Sequence, residues 1–267
     1  MSTFYVKHVR PLGEGGLATV DVVEVSSDGG PYPRGTPLAR KQLGPQWSND
    51  PGAQSRFERE IEMLSSMSHP GTVQVKGVSL PGMPRFYLMP LYPRSLRKLN
   101  EDHGGAVPRS LAVQLGMKVA STLQYAHAMN FIHRDLKPEN ILMDAQNEPI
   151  IADWGLGQFI HQHSKVLDLK TQGGLGTPYY CPAEQWSSGR CEASGDVYAL
   201  GLILAELALG RRLTINPPFS GIRQDIVTND GPQSQFFNST IKKMTSFTAA
   251  HRHASMADVT LALLNCG

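Results

Sequence analysis

The apolar residues of this chain change their period at PLYPRS, residues 90–95. Before it, YVKHVRPL and ATVDVVEV partly alternate apolar and polar side chains, the period-two signature of strands, and the Gly/Pro-rich SSDGGPYPRGTP separates the second run from LARKQL. Two further strands are predicted at TVQVKGVSL and RFYLMPL. One helix interrupts them: in QSRFEREIEMLSSM, Phe57, Ile61, Leu64 and Met67 recur at three- and four-residue intervals on one face. Beyond PLYPRS the pattern becomes helical, in SLAVQLGMKVASTLQYAHAM, GDVYALGLILAELALG, FFNSTIKKMTSF and SMADVTLALL. The expectation is an α+β chain with a strand-rich front part, a proline-marked connector and a helix-rich rear part.

Length fits one large domain or two lobes, at 267 residues, and 40% hydrophobic with 18% charged residues is the composition of an ordinary globule. A formal net charge of +2 argues against a large basic footprint for nucleic acid. The start, MSTFYVKHVRPLG, lacks the apolar run of a secretory signal, so a cytoplasmic location is expected. The most apolar stretch, residues 197–210, contains Glu206 and is too short to span a membrane, so a buried helix is predicted there. Cys181, Cys191 and Cys266 have no CxxC spacing, which predicts reduced thiols and no structural metal.

Against this background FIHRDLKPENILM, residues 131–143, is unusual: His133, Arg134, Asp135, Lys137, Glu139 and Asn140 interrupt an apolar segment. Such a cluster is either a solvated turn or a loop held by buried anchors with a few polar groups aimed into a cleft. Asp135 can accept a proton from an attacking hydroxyl, Lys137 can neutralise a transferring phosphoryl group, and Asn140 offers an amide oxygen to a hard cation. In IIADWGLG, Asp153 is a second oxygen ligand of the same kind. Near the start, LGEGGLATV places Gly13, Gly15 and Gly16 between two strands, where the absence of Cβ atoms lets backbone N–H groups approach a polyphosphate, although a plain hairpin turn uses glycine equally well. Lys41 stands on a predicted strand among Leu38, Ala39 and Leu43, and Glu60 in the middle of the predicted helix. The two are either a buried ion pair or two unrelated surface charges.

Taken together and in order, Gly13–Val20, Lys41, Glu60, His133-Arg134-Asp135, Lys137, Asn140, Asp153-Trp154-Gly155, Glu184, Asp196 and Arg252 resemble the eukaryotic-type (Hanks) protein kinase family, over nearly the whole chain. The resemblance implies a bilobal fold: an N-lobe at 1–90 with a twisted antiparallel sheet and one helix, a hinge at 90–94 and a mainly helical C-lobe at 95–267. It implies Mg-ATP as cofactor, with Mn²⁺ able to stand in. Lys41 would hold the α- and β-phosphates, oriented by Glu60. Asp135 would be the catalytic base and Lys137 would stabilise charge on the γ-phosphoryl group, with Thr177 bridging the two. Asn140 and Asp153 would bind the metal. Leu12, Gly13, Glu14, Gly15, Gly16 and Val20 would line the nucleotide site with Ala39, Met89 and Leu142, while the Pro90 carbonyl and the Tyr92 N–H would meet the adenine edge. Glu184 and Arg252 would form a structural ion pair, and Arg134 and Asp196 would be structural as well.

Three departures stand out. Trp154 replaces the usual Phe of Asp-Phe-Gly, and its indole N–H needs a partner if buried. CPAE at 181–184 transposes the usual Ala-Pro-Glu, and Ala18 stands where the last glycine of the Gly-rich pattern belongs. None of the three removes a chemically necessary group, so an active enzyme is expected.

Lys137 and Thr177 match the serine/threonine-specific branch, so protein substrates with Ser or Thr acceptors are implied, and a transient dimer would allow autophosphorylation. Thr171 is the expected phosphosite, because a phosphate there would give Arg134 a charge-assisted partner. The histidines of the two HxH pairs, His161 with His163 and His251 with His253, are expected at the surface, and Cys181 is expected to be inert. Two alternatives stay open at this point: a pseudokinase scaffold that binds nucleotide without transfer, and a kinase-fold phosphotransferase acting on a small molecule.

Overall fold

A computed structural model describes residues 4–154, 179–188, 192–213, 221–222, 224–227 and 231–267. The chain forms two compact units. The first takes in the chain to Ser68 together with Thr72–Pro93, and the second takes in His69–Gly71 and the chain from Arg94 onward.

The first unit is a five-stranded antiparallel sheet in the order β1-β2-β3-β5-β4, formed by β1 (Val6–Glu14), β2 (Ala18–Val25), β3 (Pro37–Leu43), β4 (Gly77–Val78) and β5 (Phe86–Pro90). Cross-strand partners share a face of a pleated sheet. Val20 pairs with Lys41, Lys41 with Tyr87, Val22 with Ala39 and Ala39 with Met89, so these residues form one face. The opposite face buries Val23, Val25, Leu38 and Leu88 beneath Phe4, Val6, Tyr32 and Phe86. Helix α1 (Pro51–Ser66) starts at Asp50, whose carboxylate accepts from the Ala53 N–H at 2.7 Å, with Pro51 preset for the first turn. Its buried stripe includes Phe57, Ile61 and Leu64, as the periodicity predicts, and the Phe57 ring lies 5.9 Å from that of Tyr87, centroid to centroid. β1 is an edge strand with register shifts between His8 and Arg10 and between Pro11 and Gly13. β4, at the other edge, is shorter than the strand predicted from TVQVKGVSL.

The second unit is mainly helical: α2 (Leu96–Asp102), α3 (Arg109–Ala128), α4 (Ala183–Ser188), α5 (Ala193–Leu209), α6 (Pro232–Met244) and α7 (Met256–Leu264). Helix α5 is buried without a break from Gly195 to Leu207, which explains why its sequence is apolar on every side. It ends at Gly210, with φ +67°, where a Cβ would lie 2.2 Å from the Ala106 nitrogen, so only glycine fits. A small sheet, β6 (Arg94–Ser95), β7 (Ile141–Met143) and β8 (Pro149–Ile151), carries the polar segment of residues 133–140 on its flank. No helix among the described residues is long and apolar enough to cross a membrane.

Candidate active site

In the first unit Lys41 and Glu60 do form a pair. The Lys41 Nζ lies 2.6 Å from the Glu60 Oε1, and the Tyr87 hydroxyl donates to the same oxygen at 3.0 Å. Both charged side chains are nearly removed from solvent, at 11% and 3% exposure. Burying an ion pair contributes little net stability, so the arrangement points to a use for the ammonium group on this face. Val20, Ala39 and Met89 share that face through the register above. Ala39 and Met89 are buried, and Val20, Pro90 and Tyr92 are half-buried. Leu12, Gly13, Glu14, Gly15 and Gly16 are all exposed at the turn between β1 and β2. None of the three glycines has a positive φ, and a Cβ at Gly13 or Gly16 would meet no protein atom within 4 Å. Neither backbone strain nor packing inside the chain therefore demands glycine here, which leaves close approach by a ligand, or freedom of the turn, as the reason.

The second unit gathers the other predicted residues around residues 133–140. Lys137 donates to the Asp135 Oδ2 at 2.9 Å, and the Asn140 amide nitrogen donates to the Asp135 carbonyl at 2.8 Å and to its Oδ2 at 3.3 Å. Those bonds occupy the amide nitrogen and direct the amide oxygen of Asn140 elsewhere. A 3-10 turn over Pro138–Asn140 produces this folding back, with the Asn140 N–H on the Lys137 carbonyl at 2.9 Å. Arg134 has φ +67°, a conformation rarely adopted by side-chain-bearing residues, and the structure fixes it from both ends. Its N–H and that of His133 donate to the two Asp196 oxygens at 2.9 Å each, and its carbonyl accepts from the Gln185 side chain at 2.6 Å.

Asp196, at the start of α5, is 1% exposed and also bonds the His127 ring at 2.8 Å. Burial alone would raise its carboxyl, but the His127 hydrogen bond and charge, with His133 behind them, hold it below the usual carboxylate range.

The His133 ring accepts from the Asp135 N–H at 3.3 Å and donates to the Ala152 carbonyl at 2.9 Å. The Ala152 N–H in turn donates to the Asn140 carbonyl at 2.8 Å. Asp153 follows directly, exposed and at φ +60°. Asn140 and Asp153 are thus tied to one backbone framework and both offer oxygen, the donor chemistry of a hard divalent cation. Among the described residues no group of three or more His, Cys, Asp and Glu side chains is placed to hold a metal by itself. Trp154 is 1% exposed, its indole N–H donates to the Ile151 carbonyl at 3.2 Å, and its ring lies 4.8 Å from that of His133. The replacement of Phe is therefore accommodated with its polar atom bonded. Leu142 is half-buried on β7.

Glu184 and Arg252 are paired at 2.6 and 3.1 Å, with Arg252 further bonded to the carbonyls of Ser194, Ser246 and Phe247. Burial, with the charges of Asp135 and Glu184, pushes the Cys181 thiol up to about 12, which keeps it protonated and unreactive. His251 is exposed, but His253 is 8% exposed, contrary to the expectation of a surface residue. Its neighbour Arg252 turns inward to Glu184 and draws the chain with it. Gly155, His161, His163, Thr171, Thr177 and Cys191 lie outside the described residues.

Sequence reasoning missed four supporting residues: Tyr87, His127, Gln185 and Arg97. Arg97 bonds the Glu139 carboxylate at 2.9 Å, the Tyr180 hydroxyl at 2.7 Å and the Glu206 carboxylate, so one guanidinium connects α2, the 3-10 turn, α5 and the segment before α4. Burial would lower its pKa, but the hydrogen bonds it donates to Glu206 and Glu139 outweigh this and raise it. Of the four, only His127, an ionisable imidazole in the last turn of α3, left a signal that could have been read.

A family pattern described as protein kinase domain matches residues 6–264. The serine/threonine-protein kinase PknD of Chlamydia felis is 29% identical over 79% of this chain and 24% of its own length. The probable serine/threonine-protein kinase PknB of Lactococcus lactis is 27% identical over 76% of this chain and 31% of its own. The mouse serine/threonine-protein kinase Nek4 is 28% identical over 75% of this chain and 24% of its own. The chain thus spans about a quarter to a third of the length of these curated relatives.

Proposed function

This chain belongs to the protein kinase domain family, and from that membership we propose that it transfers the γ-phosphoryl group of ATP to serine or threonine hydroxyls of other proteins. The observation that carries the reading is the convergence of Asp135, Lys137 and Asn140 on a loop whose backbone is held by buried Asp196. Asp135 accepts the proton of the acceptor hydroxyl as that oxygen attacks the γ-phosphorus. Lys137, bonded to the same carboxylate, supplies positive charge as the phosphoryl oxygens become more negative. Lys41, held by Glu60, neutralises the α- and β-phosphates, and the glycine-rich turn offers them backbone donors. Val20, Ala39 and Met89 offer the adenine an apolar face, with the Pro90 carbonyl and the Tyr92 N–H at its edge.

The oxygen donors Asn140 and Asp153 fit Mg²⁺, with Mn²⁺ as its substitute, better than a softer metal. When bound, that cation supplies charge neutralisation at the phosphate oxygens. Thr177 would bridge Asp135 and Lys137, and phosphorylation of Thr171 in a transient dimer would engage Arg134. A cytoplasmic location for the chain is part of the same proposal.

The test is incubation of the purified chain with radiolabelled ATP, Mg²⁺ and a generic protein acceptor. Label on Ser or Thr is expected, falling about a thousandfold in Asp135→Asn. Transfer by the variant at the wild-type rate, or none by the wild type, would overturn the reading.

A further inference from the structure

The glycine-rich turn is held from outside itself by a tryptophan. The Trp47 indole N–H donates to the Gly16 carbonyl at 2.9 Å. The Gly44 N–H donates to the Leu17 carbonyl at 2.9 Å, and the Gly15 N–H closes the turn on the Ala18 carbonyl at 2.8 Å. The carbonyls of residues 16, 17 and 18 are all accepting within the first unit. Trp47 reaches its place because a 3-10 turn, Pro45–Trp47, begins on Gly44 directly after β3, with the Trp47 backbone N–H on the Gly44 carbonyl at 2.9 Å. The indole is half-buried, and its one polar atom is directed at a backbone carbonyl 31 residues away in sequence.

In a planar trans peptide the C=O and N–H point in opposite directions. Drawing the Gly16 carbonyl toward Trp47 therefore turns the Leu17 N–H to the far side of the turn. Gly16 would not hold that orientation unaided, because it has no side chain and nothing within 4 Å of where one would be. We infer that Trp47 is a positioning residue for nucleotide phosphate, fixing the Gly16–Leu17 peptide so that its N–H is already aimed outward when a phosphate arrives. This rests on the kinase reading above and adds to it a residue that contacts no substrate. The physical benefit is preorganisation: a glycine-rich turn left free would have to be ordered at the expense of binding energy.

Two variants separate the donor from the ring. Trp47→Phe keeps an aromatic ring and loses the N–H, whereas Trp47→Gln loses the ring but keeps an N–H donor the same number of bonds from Cα. Calorimetric titration with ADP and Mg²⁺, and separately with adenosine, reads whether the effect falls on phosphate alone. Trp47→Phe should weaken ADP about 3- to 10-fold, the worth of one hydrogen bond. Adenosine should stay within about twofold, and Trp47→Gln should restore ADP to within about twofold of wild type. In turnover, KM for ATP should rise while kcat and KM for the protein acceptor hold. Equal weakening of adenosine and ADP by Trp47→Phe would reduce Trp47 to general support, and unchanged ADP affinity would remove its role; either result overturns the inference. A wild-type chain that binds neither ligand would instead fail the kinase reading itself.

Discussion

The first unit holds its central buried charges side chain to side chain, Lys41 on β3 against Glu60 on α1, with the Tyr87 hydroxyl on the same oxygen. The second unit instead gathers its polar groups around Asp196, which accepts two backbone N–H groups and bonds the His127 ring. The side-chain pair is compact and its ammonium can be shared with a ligand. The Asp196 network is spent on backbone, where it over-determines the positive φ of Arg134 and with it the place of Asp135. The two buried charges are thus held in different ways: Lys41 and Glu60 meet through side chains, whereas Asp196 is bonded largely to backbone N–H groups.

If that contrast is right, the two should fail differently. Lys41→Met should lower phosphotransfer by about a hundredfold or more, since it removes charge from the phosphates, as labelled-ATP assays would measure. Asp196→Asn should act first on stability, costing about 3 kcal/mol in urea denaturation, because an amide nitrogen replaces an oxygen that accepts a buried N–H. The same variant should alter the acid limb. The depressed carboxyl of Asp196 contributes stability that is present above the ordinary Asp value near about pH 4 and is lost as pH falls through its folded value, so the variant should lose less stability than wild type across that window. The smallest effect belongs to Tyr87→Phe, which removes one bond to Glu60 and should cost about 1 kcal/mol by denaturation while leaving Lys41 and Glu60 paired. A Lys41→Met variant with full transfer, or an Asp196→Asn variant as stable as wild type, would erase the distinction.

The sequence reading succeeded where chemistry and local pattern coincide. Lys41 among apolar strand residues, the interrupted run at 131–143 and the apolar helix at 197–210 each depart from what a neutral stretch would show. It was less informative where a partner is distant: Tyr87 stands 27 residues from Glu60, and His127 stands 69 from Asp196. Nothing local identifies such pairs. The strands β6 and β7 are two and three residues long, shorter than any window in which alternation can be recognised, and α2 spans only seven. His253 was misjudged because a polar residue beside an arginine reads as solvent-facing until the arginine's partner is known.

The two outer strands of the first unit have a consequence for handling the protein at high concentration. An unpaired strand margin invites a neighbouring molecule to add on and so seeds aggregation. Here one margin carries Lys7, Arg10 and Pro11 along a strand interrupted twice in its register, and the other is two residues long. Charge, a missing N–H and sheer brevity deny a newcomer any continuous template, so this sheet should resist the intermolecular strand exchange to which five-stranded sheets with clean borders are exposed.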